Sequence, residues 1–258
     1  MNNKDLQDLK KAHQLLSSPS VAMKVANYIG KPLEIGLDSL PESATEKINH
    51  ITQVSLNKAL EAALFTMEDQ KAEEASPWWH KAAATVSGGV GGFFGLAALA
   101  VELPLSTVIM LRSIMDIARS EGLSISDQET QLECLLVFAL GGESKDDDAA
   151  ESAYYAARIA LGKAMGEALE YIAQKAVVEK GAPVLVRLIA TIAERFGIQV
   201  TEKVLAQGVP VAGAIGGAGI NLMFIDHFQD MARGHFVVKR LEKKYGKEVV
   251  KKHFDLLK

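Results

Sequence analysis

The sequence predicts an all-α fold, a multi-helix bundle around two glycine-rich apolar central helices. Three observations predict it. Apolar side chains recur every three or four residues through several long segments, which is the spacing of one buried helix face. Two runs, 82–101 and 204–225, carry no charged residue and are rich in Gly and Ala. No segment alternates apolar and polar residues in the way a half-buried strand does.

Residues 3–16 read as a charged opening helix, and Ser18-Pro19 followed by Gly30-Lys31-Pro32 breaks what comes next into short pieces. From Ser43 to Asp69 a longer helix carries Leu56, Leu60, Leu64 and Met67 on one face. Ser76-Pro77 has the chemistry of a helix start, because Ser accepts an orphan amide and Pro loses nothing at the first position. Trp78, Trp79 and His80 open that helix.

The run Ala82 to Val101 has membrane-spanning length, about 30 Å as a helix. Its five glycines (Gly88, Gly89, Gly91, Gly92 and Gly95) cost about 1 kcal/mol each against Ala, so close packing must offset roughly 5 kcal/mol. Gly88–Gly92, Gly91–Gly95 and Gly213–Gly217 are G-x-x-x-G steps that let another backbone approach. The run has few large hydrophobes, which fits a buried central helix pair before it fits a conditionally inserting hairpin.

Pro104 marks a kink or break, after which a second helix runs to Gly122. Ser126 and Glu129 suit a capping box for a helix carrying Leu132, Leu135, Leu136 and Ala139, closed by Gly141-Gly142. The acidic stretch after it, ESKDDDAAE, has no apolar period and reads as a surface loop. Helices over 150–176 and 184–196 each show one apolar face, the first through Leu161, Met165, Ala168, Leu169 and Ile172, the second through Leu185, Leu188, Ile189, Ile192 and Phe196. The second apolar run, interrupted by Pro210, ends at Asp226, and a last basic helix over 237–258 holds eight Lys+Arg against three Asp+Glu. Two units are expected, an N-terminal helical segment over 1–70 and a helical domain over 71–258, packed as one.

Composition excludes some functions. A net charge of -4, from 28 Lys+Arg against 32 Asp+Glu, leaves no electrostatic footprint for nucleic acid. Cys134 is the sole cysteine, so no disulfide framework or thiolate cluster is expected, and its apolar surroundings predict a buried thiol. The opening residues lack a signal-peptide pattern, and a cytoplasmic protein, peripheral on the inner face of the cell membrane, is expected.

The densest polar cluster is Asp226, His227, Asp230, Arg233 and His235. Two carboxylates and a histidine suit divalent-ion binding or acid/base work, yet the spacing matches neither H-E-x-x-H nor E-x-x-H. The plainer expectation is that Asp230 pairs with Arg233 and Asp116 with Arg119, or across to each other's partners, neutralising charge where the apolar helices emerge. Tyr154, Tyr155 and Arg158 suggest a pocket wall, or an aromatic core patch with one solvated Arg. No metal ligand set, no cofactor site and no catalytic residue is assigned. Lys243, Lys244, Lys251 and Lys252 on the basic helix are expected to meet anionic headgroups at a membrane surface.

The halves echo each other faintly, since an apolar segment leads into Asp116-Ile117-Ala118-Arg119 in one and Asp230-Met231-Ala232-Arg233 in the other. Through ELPLSTVIMLRSIMDIARSEG, ESAYYAARIAL and GAIGGAGINLMFIDHFQDMARGHFVVKRLEKKYG, over roughly residues 75–250, the chain resembles the bacterial EcsC family. The resemblance implies a helical bacterial protein of poorly defined activity, in a family named for a protein encoded beside an ABC-type transporter and linked to secretion and the envelope. It carries over no active-site residue. With the two apolar helices, it predicts a non-enzymatic accessory protein at the cytoplasmic membrane, or one holding an apolar or lipid ligand, with a membrane transporter as a possible partner. The alternatives are a hydrolase or metal-dependent enzyme using Asp226, His227 and Asp230, and a partner-binding scaffold.

Overall fold

A computed structural model describes residues 1–17, 24, 41–65, 95–140, 153–175, 179, 181–208 and 216–257. The described residues form eight α-helices, α1 (Asn3–Leu16), α2 (Glu42–Phe65), α3 (Gly95–Ser120), α4 (Gln128–Leu136), α5 (Ala153–Gln174), α6 (Pro183–Gly208), α7 (Gly216–Tyr245) and α8 (Lys247–Asp255). A 3₁₀ turn, Val137–Ala139, extends α4. No strand occurs among these residues, so the all-α expectation holds.

Most predicted faces are buried as the periodicity required. Leu56 and Leu60 of α2, Leu132, Leu135 and Leu136 of α4, Leu161, Met165, Ala168 and Ile172 of α5, and Leu185, Leu188, Ile189, Ile192 and Phe196 of α6 share one core. Cys134 lies in it, fully buried. Phe228 of α7 sits among Phe138, Phe196 and Phe224, with ring centroids 5.4, 5.4 and 5.1 Å away.

Several boundaries differ from expectation for identifiable reasons. Pro104 does not break the chain, because α3 runs through it. The ring removes the amide that Ala100 O would receive, but Ala100 is exposed, so water can take that bond. Just beyond it the Ser106 and Thr107 hydroxyls both donate to Leu103 O, at 3.1 and 2.7 Å. The cap of α4 is Asp127 and not Ser126, since its carboxylate accepts from both the Thr130 amide (3.3 Å) and hydroxyl (3.1 Å). Glu129 turns away to Lys239, so no capping box closes. The helix expected over 184–196 continues to Gly208, which makes 204–208 its last turn. Asp226 ends the uncharged run but no helix, because α7 passes through it, and the basic segment is the end of α7 plus α8, parted at Gly246 with φ 88°.

Gly122 does stop α3. At φ 81° it lets the Leu123 amide reach Ala118 O (3.1 Å) and its own amide reach Arg119 O (3.0 Å), the paired bonds of a Schellman end. Met67, Ser76-Pro77, Trp78 to His80, the run 82–94, Gly141-Gly142, the acidic stretch and Pro210 lie outside the described residues, and with them most of each glycine step.

Helices α3 and α7 lie side by side and run the same way. Near their starts the Lys203 ammonium joins Glu102 (2.6 Å) and stands over the Phe224 ring (4.9 Å). Midway, Gln229 Nε2 donates to Ser113 Oγ (3.0 Å), and near the ends Arg240 Nε meets Glu121 (2.7 Å). Helix α6 runs antiparallel to α7, as Gln207–Asn221 and Phe196–Phe228 show. Helix α1 packs on α7 and α8, and α2 on α3 and α6.

Candidate functional site

The five polar residues clustered along 226–235 do not converge in space. A helix advances about 100° per residue, so 226, 230 and 233 share an outward line while 227 and 235 turn inward. Asp226 and Arg233 are exposed and Asp230 is half-buried. Arg233 Nη1 donates to Asp230 Oδ1 at 3.0 Å, and Arg119 approaches Asp116 at 3.5 Å, each within one helical turn. These are the local pairs expected from their spacing, worth a few tenths of a kcal/mol apiece. No group of three His, Cys, Asp or Glu side chains among the described residues is arranged to hold a metal ion.

His227 is fully buried, and neither ring nitrogen has a hydrogen-bond partner. Burial, helped by the nearby Lys24 ammonium, pushes its pKa down to about 3. His235 is also fully buried but fully used. Its Nε2 faces Glu133 Oε2 at 3.0 Å and its Nδ1 faces the Tyr154 hydroxyl at 3.0 Å.

Those contacts belong to one buried chain of polar groups drawn from three helices. Lys239 Nζ reaches Glu133 Oε1 at 2.6 Å and Glu129 Oε1 at 3.1 Å. Arg158 donates to the Tyr154 oxygen at 3.2 Å and clasps Glu242 through both carboxylate oxygens, at 2.7 and 2.9 Å. Burial raises the Glu133 carboxyl, but the His235 bond and the Lys239 charge outweigh it and hold the group well below the usual carboxylate range. Burial lowers His235 against the pull of Glu133, so its ring is neutral. A carboxylate only accepts, hence Nε2 carries the proton and Nδ1 accepts from the Tyr154 O–H. The Tyr154 phenol is pushed up by burial and stays protonated. Every hydrogen bond from Arg158 to Lys239 thus has a defined direction.

Arg158, expected to be solvated, is instead held in a buried bidentate pair and lies over the Tyr154 and Tyr155 rings at 5.4 and 5.6 Å. Tyr155 packs edge-on against Phe254 at 5.2 Å, its hydroxyl without a partner and its phenol pushed up by burial. The chain locks α4, α5 and α7 together. Glu133, Lys239 and Glu242, its members not singled out from the sequence, are each separated from a partner by more than eighty residues. Only amphipathic positions bearing a charge on a buried face hinted at them.

Both buried histidines predict acid sensitivity. The unfolded chain protonates them near pH 6.5, the folded chain only at lower pH, for His227 near 3. The unfolded state therefore binds more protons below 6.5, and stability falls as pH falls, by up to about 1.4 kcal/mol per pH unit for each histidine. Urea unfolding at pH 7 and pH 5 should show the loss. His227→Phe, which removes two unpartnered nitrogens, should raise stability at both values and shrink the difference. An unchanged difference would mean that His227 is solvated.

The four lysines expected to meet a membrane divide into two kinds. Lys244 and Lys251 pair with Asp5 (2.7 Å) and Asp255 (3.1 Å), whereas Lys243 and Lys252 stand exposed. The sequence also did not single out the outward line of α3. There Val101 (75% exposed), Leu105 (37%), Val108 and Ile109 precede Arg112 and Asp116. Ala98–Ser120 is long and apolar enough to cross a membrane, and half of its most apolar stretch is buried.

Compared with known families, residues 4–241 match the model of the EcsC protein family. The match reaches back into α1, well before the motifs that carried the resemblance. No curated protein and no solved structure matches the chain.

Proposed function

The chain belongs to the EcsC protein family, and from that premise we propose that it is a non-enzymatic helical accessory protein acting on the cytoplasmic face of a membrane, in support of transport or envelope processes. The observation that carries the reading is the outward line of α3. Val101, Leu105, Val108 and Ile109 spread over about 12 Å of helix, with a charged band, Arg112 and Asp116, starting one turn further on. An apolar stretch that stops at charges suits a helix seated in the headgroup and acyl boundary.

Helix α7 supports the same orientation. Leu222 (58% exposed), Asp226, Arg233 and Lys244 recur along one line, about 33 Å from first to last. The apolar and the cationic ends are thus far apart, and both meet one surface only with the bundle lying along it. Anionic lipid adds attraction at the Lys243 end, about 1 kcal/mol per well-placed cation.

Vesicle flotation tests this. The parent protein should float with acidic vesicles at low salt and less so at a few hundred millimolar, because exposed charges are screened within about 8 Å at physiological ionic strength. Joint replacement of Val101 by Ser and Leu105 by Gln should abolish most flotation. Gln at Lys243, Lys244, Lys251 and Lys252 should remove the salt-sensitive part alone. A parent protein that floats with neither acidic nor neutral vesicles would sink the proposal.

A further inference from the structure

We infer that α1 is an acidic clasp over the cationic end of α7, and that anionic lipid headgroups release it by taking its place. The inference rests on the membrane reading above and names how that contact is regulated.

The carboxylates of α1 point inward. Asp5 is 4% exposed, and its Oδ2 accepts from Lys244 Nζ at 2.7 Å and from the Tyr245 hydroxyl at 2.6 Å, with the Arg240 guanidinium 3.9 Å from Oδ1. Asp8 meets Arg240 at 2.9 Å. Arg240 has a further partner outside α1 in Glu121, just past the end of α3, whereas Lys244 has Asp5 alone as its ion-pair partner among the described residues. The carboxylates of α1 therefore stand where the oxygens of a phosphate would stand against the same two cations.

The rest of the attachment is apolar. Leu9, Ala12 and Leu16 are its buried apolar residues, and His13 lies against the Phe254 ring at 4.7 Å. The seam closes over Gly234, where a Cβ would stand 2.6 Å from Leu16 Cγ and 3.0 Å from Ala12 O. Such a close approach tolerates no side chain at 234 while α1 is docked. The outer surface of α1 carries exposed Lys4, Lys10 and Lys11, and Lys243 and Lys247 are exposed beside its docking site. Once released, α1 exposes Leu9, Ala12 and Leu16 on one face, with Asp5 at the head of that face and Lys4, Lys10 and Lys11 on the opposite one. Release therefore frees Lys244 and uncovers a second apolar line in one step.

The test uses the full chain and vesicles with and without acidic lipid. In the parent bound to acidic vesicles, the backbone amides of α1 should lose hydrogen-exchange protection while those of α7 keep it. Asp5→Asn combined with Asp8→Asn should bind acidic vesicles about fivefold more tightly than Glu42→Gln combined with Glu46→Gln, which adds the same charge on exposed α2 positions. Gly234→Val should act in the same direction with no change of charge. If the parent binds, α1 stays protected and the Asp5/Asp8 variant matches its control, the clasp is wrong and the membrane reading survives. If the parent binds neither acidic nor neutral vesicles, the membrane reading fails and takes the clasp with it.

Discussion

Replacing Glu242 by Ala is expected to lower the unfolding free energy by about 3 to 5 kcal/mol, the largest single effect of any charged residue described. The cost comes from what is left behind. Arg158 has both ends of its guanidinium fork on Glu242, and its side chain is only 14% exposed. Without the carboxylate a buried cation keeps only the Tyr154 oxygen and two aromatic faces. Changing Arg158 to Met and Glu242 to Leu together should recover most of the loss, because two apolar side chains leave no charge to desolvate. Urea midpoints for the parent, the single variant and the double variant decide it. A single-variant loss below about 1 kcal/mol would mean that water reaches Arg158.

Phe228→Ala should cost a similar amount, about 3 to 5 kcal/mol, by a different mechanism. Its ring touches those of Phe138, Phe196 and Phe224, contributed by three elements. Removing it opens a cavity at the junction of the 3₁₀ turn, α6 and α7, where long helices cannot collapse inward without moving their other contacts. Thermal unfolding followed by circular dichroism should show a clear fall in midpoint with native helicity retained in the cold. Val101→Ser, on the outward line of α3, should change stability by no more than about 0.5 kcal/mol. Equal effects from the two substitutions would mean that the core and the outward line are wrongly assigned.

The helices were legible because each carries its own evidence. Leu161, Met165, Ala168 and Ile172 announce the buried face of α5 from spacing alone, and the pairs Asp116–Arg119 and Asp230–Arg233 follow from their separation of three. Ends were less legible, since competing signals sat one residue or one turn apart. Ser126 and Asp127 are both good caps, and the charged one prevails because a carboxylate answers two donors and the helix dipole at once. Pro104 reads as a stop, but a proline whose orphaned carbonyl belongs to an exposed residue costs a helix far less than one in dry surroundings.

The polar chain through His235 was illegible for a different reason. Nothing near His235 in sequence indicates that Glu133 and Tyr154 lie on either side of its ring, because those partners are set by the packing of α4 and α5 on α7. Proximity along the chain suggested a cluster with Asp226 and Asp230, and helical geometry disperses that cluster to opposite faces. Sequence neighbours predict pairs within a turn; buried networks need the fold.

The docking of α1 on α7 also sets an order of events during synthesis. Leu16 meets Gly234 across 218 positions, and Asp5 meets Lys244 across 239, so the ribosome must add that length of chain after α1 before the helix finds its seat. At ordinary elongation rates that interval is on the order of ten seconds or longer. Throughout it Leu9, Ala12 and Leu16 have no seam to fill, and the nascent chain carries α1 as an unseated amphipathic helix.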